Sequence, residues 1–140
     1  MAPVLIETLP LFIEDAARKP FRYGFHDCAL NVANWGRVLT GIDGAADLRG
    51  RYRSRLGCAR IIQRAGGLAS LVGRCAAKVG MRAVDEAQRG DVGVIVARTT
   101  EGVDQLAAIR FDATRWAVLT PHGMQIGADG ATVVGAWGLR

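Results

Sequence analysis

Phe21-Arg-Tyr-Gly-Phe-His-Asp-Cys-Ala-Leu-Asn-Val-Ala-Asn-Trp35 decides how the rest of the chain reads. Asp27 is a good helix N-cap, and Ala29, Leu30, Val32, Ala33 and Trp35 continue at helical spacing until Gly41 stops the run. Cys28 therefore falls in the first helical turn. There the unpaired backbone N–H groups and the helix dipole favour a thiolate over a thiol, the environment a cysteine nucleophile needs. The competing reading is a small buried hydrophobe at the start of a core helix. A base elsewhere in the chain has to decide between them.

Outward from this helix, residues 4–19 carry Leu5, Leu9, Phe12, Ile13 and Ala16 at helical spacing and end before Pro20. After the Gly41-Ile-Asp-Gly44 loop, residues 45–55 form a charged short helix or turn, either a solvated face or a docking site for an anion or partner. Helices are expected over 56–65, with Cys58, Ile61 and Ile62 inward, and over 68–79, with Leu68, Leu71, Val72 and Cys75 inward. Gly66-Gly67 splits them. From Met81 the period changes to that of strands. Residues 92–97 read as a strand buried on both faces, followed by strands at 106–111, 116–120 and 132–137. Turns at Asp112-Ala-Thr, Pro121-His-Gly and Asp129-Gly separate them. Helices first and strands afterwards predict an α+β fold, with N-terminal helices packed on a C-terminal antiparallel sheet.

Across its 140 residues the chain has no linker or repeat, so a single domain over 1–140 is expected. It is 50% apolar and 22% charged, a globular balance. Eighteen basic against thirteen acidic residues give +5, a mild bias towards anionic partners. No basic run is interleaved with aromatics, which argues against a nucleic-acid partner. Cys28, Cys58 and Cys75 form no C-x-x-C pair, so neither a disulfide framework nor a metal site is expected, and no cofactor is called for. The Met1-Ala-Pro-Val start lacks a basic region, and Glu7, Glu14 and Asp15 interrupt its apolar stretch. That predicts cytoplasmic synthesis without a signal peptide, and no membrane partner.

The aromatic-Tyr23-Gly24 run followed by Asp27-Cys28 at a helix start resembles the NlpC-type, papain-like cell-wall peptidases. Arg89-Gly90-Asp91-Val92-Gly93-Val94-Ile95 resembles the Gly-Asp that leads their first core strand. More closely, the chain is similar to a group of small phage and prophage proteins encoded among tail genes. The pattern is His26-Asp27-Cys28, Thr40-Gly41, Asp47 to Tyr52, Gly66-Gly67-Leu68, Gly90-Asp91 and Ala136-Trp137. The resemblance covers nearly the whole chain. It implies a papain-like (NlpC-like) fold and incorporation into a virion tail as a tail-tip or baseplate component. Its partners would be other tail-tip or baseplate proteins and, in an active form, peptidoglycan.

The resemblance also implies a catalytic histidine on the strand after the Gly-Asp strand. Counting back from Trp116, that position is Leu106, which can neither accept a proton nor polarise a thiol. This favours a degenerate catalytic set and a structural or docking role. The alternative is an active peptidoglycan hydrolase in which Cys28 attacks a peptide-stem amide to give a thioester. His122, in the Pro-His-Gly turn, or His26, two residues before the cysteine, would then be an unusual base. Asp27 reads as a cap rather than a catalytic acid, and Asp91 as the residue that fixes the turn into its strand. The degenerate reading expects Leu106 to pack on Cys28, with both histidines beyond hydrogen-bond reach of its sulfur. Partner contacts are expected at Arg49 to Arg55 and at the turns around Gly102 and Asp129.

Overall fold

The computed structural model describes residues 3–100 and 102–140. Met1 and Ala2 of the leading segment, and Glu101 of the turn before Gly102, lie outside them. The first expected helix is two: α1 (Pro3–Ile6) and α2 (Leu9–Ala17). Pro10 causes the break. It has no N–H to donate, and its ring would clash with the carbonyl four residues back, so the helix restarts there. Thr8 closes the break by donating its hydroxyl to the Leu5 carbonyl at 2.6 Å.

The decisive helix α3 (Cys28–Thr40) begins and ends where the sequence predicts. Asp27 is extended, its Oδ1 accepts from the Leu30 amide, and Gly41 closes the helix in the left-handed region at φ 78°. Helices α4 (Arg55–Arg64) and α5 (Leu68–Lys78) follow a turn-rich segment. Among the described residues none on α4 is fully buried, so the expected inward trio Cys58, Ile61 and Ile62 is only half-buried. On α5, Leu68, Val72 and Ala76 are buried, while Leu71 and Cys75 are half-buried.

The remaining chain forms β1 (Arg82–Ala83), β2 (Val92–Thr99), β3 (Gly102–Arg110), β4 (Trp116–Thr120), β5 (Gly123–Gly127) and β6 (Thr132–Gly138). They make one antiparallel sheet in the order β1-β6-β2-β3-β4-β5, so the α+β expectation holds. β1 and β5 are additional to the expected strands. β3 starts four residues earlier than expected because its whole length pairs with β2, from Val92 opposite Ile109 to Thr99 opposite Gly102.

Alternation of side chains sorts the sheet into two faces. Val92, Val94, Ala107, Ile109 and Ala117 meet Leu9, Ile13, Trp35, Leu39 and Val72 from the helices. The opposite face gathers Ile95, Ala108, Trp116 and Val118 into a smaller cluster. Cys28 packs against both, at the seam between the helical layer and the sheet. The layers are also joined by the Trp35 indole, which donates to the Gly90 carbonyl at 2.8 Å. Among the described residues no helix is long and apolar enough to cross a membrane.

Candidate functional site

The site is built around Asp27, a residue 2% exposed. A carboxylate in that position needs hydrogen bonds to offset its lost hydration. It has three: Oδ1 accepts from the Leu30 amide at 3.0 Å, and Oδ2 accepts from the Gly24 amide at 2.9 Å and the Tyr52 hydroxyl at 2.6 Å. Gly24 has φ +82°, and a Cβ there would lie 1.9 Å from the Tyr52 carbonyl oxygen, so only glycine fits. The Tyr23-Gly24 step thus brings two distant segments together over the head of α3.

Cys28 follows Asp27 in the first helical turn, half-buried and facing a groove of about 980 Å³. Phe21, Tyr23, Cys58, Ile62, Leu106 and Val118 supply much of its apolar lining. The expected thiolate does not survive the geometry. Burial pushes the Cys28 thiol up to about 12, with the neighbouring Asp27 charge acting in the same direction. The Ala107 and Ala29 amides oppose the rise without overcoming it. The helix start fails to activate the sulfur because burial outweighs its field; Asp27, which occupies the Leu30 amide, adds a negative charge beside the thiol in the same direction. Burial likewise raises Cys58 to about 11, and it raises the Tyr52 hydroxyl, which lies beside Asp27.

The other predicted site residues lie apart from the sulfur. His26 is buried, and its Nε2 lies 2.9 Å from the Ala16 carbonyl. A carbonyl can only accept, so that nitrogen carries the proton and ties the ring to α2. His122 is exposed in the β4–β5 turn, with Nε2 3.3 Å from Thr100 Oγ1. It lines the same groove as Cys28, yet among the described residues no hydrogen bond joins the two. Leu106 and Cys28 pack against the same apolar cluster, in the groove. Asp91 is buried and accepts from the Gln88 amide at 2.8 Å and from the Arg140 guanidinium, fixing the turn into β2. Among the described residues no three His, Cys, Asp or Glu side chains are grouped to hold a metal ion.

Sequence reasoning missed Tyr52 and misread Arg49. Tyr52 lies among arginines in the sequence yet is 7% exposed and caps the Asp27 carboxylate. Arg49 donates to both carboxylate oxygens of Asp43 and to Asn34 Oδ1, so it is a tether rather than part of a solvated face. The available signal for Tyr52 was its place at the end of the Asp47 to Tyr52 stretch of the resemblance pattern. Its partner, 25 residues away, was not visible locally.

A family model for a domain of unknown function, DUF6950, matches residues 5–138. The chain belongs to that family. No curated protein and no solved structure matches it.

Proposed function

We propose that this DUF6950 domain has a papain-like, NlpC-related fold whose catalytic set has lapsed, and that it serves as a docking component of a phage-like tail tip or baseplate. The observation that carries the degenerate reading is the environment of Cys28. Its thiol is held protonated by burial, and Leu106 stands where the resemblance calls for an imidazole. A cysteine peptidase needs a base within hydrogen-bond reach of the thiol and a third group to orient it. His26 is instead bonded to a backbone carbonyl on α2, and His122 to a threonine at the rim of the groove. The order of elements, helices first with the cysteine opening α3 and the Gly90-Asp91 turn leading β2, supports the NlpC-like assignment. The tail-tip role rests on the resemblance to tail-gene proteins.

Digestion of purified peptidoglycan with wild type and Cys28→Ala tests the reading. No release of fragments by either protein is expected. Release that depends on Cys28 would restore the hydrolase, with His122 as the residue to examine next because it shares the groove.

A further inference from the structure

Between buried Tyr52 and buried Leu68, no residue from Arg53 to Gly67 is fully buried. That stretch contains all of α4, whereas α2, α3 and α5 each bury three residues or more. Buried apolar side chains are what hold a helix to its domain, so α4 is the most weakly held of these four. Its inner face is well defined nonetheless. Arg55, Cys58, Ala59 and Ile62 recur at i, i+3, i+4 and i+7, and all four line the groove with Leu106, Trp116 and Val118 of the sheet. The inner face of α4 therefore looks onto the groove, and only Ile62 among the four also packs against the main core.

The helix is complete in itself. Ser54 Oγ accepts from the Gly57 amide at 3.0 Å at one end, and the Gly67 amide donates to the Ile62 carbonyl at 2.9 Å at the other. A helix whose ends are satisfied internally can move as one body without unpairing its backbone. Its two attachments differ. The first turn rests on Tyr52, where a Cβ at Gly57 would stand 3.2 Å from that of Tyr52, and Tyr52 is itself pinned to Asp27. At the far end Gly66 and Gly67 follow one another at φ +90° and +116°, and a Cβ at Gly67 would meet nothing within 4 Å. Consecutive glycines in open space change torsion at little steric cost, which is what a hinge requires.

We infer that residues 53–67 form a lid on the groove, pivoting on the Tyr52 clasp and hinging at Gly66-Gly67, and that its opening is what admits molecules to the groove and to Cys28. Cys28 lines the groove from the head of α3, and Cys58 rides on the lid. Cys75, on α5 beyond the hinge, faces a different cavity and serves as an internal reference. The lid goes beyond the docking reading and does not depend on it, since a hydrolase would need the same access.

Native-state hydrogen exchange on the intact protein tests the lid directly. The α4 amides from Cys58 to Gly67 are expected to exchange together, about a hundredfold faster than those in the middle of α3, at a rate insensitive to urea below the unfolding transition. Iodoacetamide labelling then tests what the lid controls. Ile62→Ala loosens the inner face of α4 without touching Cys28, so labelling of Cys28 should quicken about tenfold while that of Cys75 stays at the wild-type rate. Protection of α4 equal to that of α3 would overturn the inference. So would Cys28 labelling unchanged by Ile62→Ala, or Cys28 and Cys75 quickening together, which would assign the access to global unfolding. Peptidoglycan digestion is read independently, so the lid and the degenerate-site reading can fail separately.

Discussion

The Tyr52 hydroxyl donates to Oδ2 of Asp27 at 2.6 Å, tying the first turn of α3 to a segment 25 residues further along. The bond closes the carboxylate away from water and fixes the loop that leads to α4. Tyr52→Phe keeps the ring in place and removes the donor. Because the lost bond is to a charged group, a cost of about 1.5–3 kcal/mol is expected, read as a lower urea midpoint at unchanged slope. A change below about 0.5 kcal/mol would mean that the Gly24 and Leu30 amides satisfy Asp27 by themselves.

Gly24→Ala should be worse. Its Cβ would stand 1.9 Å from the Tyr52 carbonyl oxygen on a backbone at φ +82°. Either the loop or the Asp27 clasp must open, so the variant is expected to lose the cooperative thermal transition of the wild type. A melting curve superimposable on wild type would remove Gly24 from the clasp.

Thiol chemistry gives a pH prediction. Burial holds Cys28 protonated up to about 12 in the folded chain, against 9.0 for an ordinary cysteine. Between those values the unfolded chain gives up the proton and the folded chain retains it, so the unfolded state binds fewer protons and stability falls as pH rises. Below pH 9 this contribution is fully present. Cys28→Ala should make the alkaline decline shallower, and iodoacetamide should label Cys28 slowly at pH 8, since burial holds the thiol protonated there. Rapid labelling of Cys28 at neutral pH would contradict its burial.

Leu106→His tests the lapsed site from the opposite direction. An imidazole placed in the groove beside Cys28 should raise alkylation of that sulfur at pH 7 by about tenfold or more. No gain, in a variant that still folds, would show that position 106 does not address the sulfur. Leu106→Ala, by contrast, should cost about 1–3 kcal/mol, because the side chain is half-buried.

Arg49→Ala removes a fork that reaches Asp43 and Asn34 together. The Arg49 hydrogen bond holds the Asp43 carboxyl below its ordinary 3.8. Its stabilising contribution is therefore present above pH 4 and lost as the pH falls through the depressed folded value. The variant should be less stable than wild type at pH 7 by about 1–3 kcal/mol, and the gap should narrow in strong acid. A gap constant with pH would mean that packing of the arginine stem, rather than the ion pair, is what matters.

What could be read in advance was what is local. The start and end of α3 follow from Asp27 and Gly41, and the double burial of β2 from its unbroken apolar run. β5 was missed because Pro121-His122-Gly123 and Asp129-Gly130 read as turns, and between them only Met124 and Ile126 alternate as large apolar residues, too few to register as a period. The Cys28 environment was misjudged for a different reason. Helix position supplies a favourable field, but the burial that overrides it comes from residues in β2, β3 and β4, which no local pattern announces.

The bond from the Trp35 indole to the Gly90 carbonyl spans 55 residues, from the helical layer to the turn that leads into β2. During synthesis Trp35 leaves the ribosome 55 residues ahead of Gly90, and at about 5–20 residues per second that delay is several seconds. Through that interval the emerged helices hold their apolar faces towards a sheet that does not yet exist. Leu9, Ile13 and Leu39 are buried against Val94, Ile109 and Ala117, all of which come later. The nascent chain is therefore most dependent on chaperones before its second half emerges, and a truncation before β2 should yield an aggregating fragment rather than a smaller folded domain.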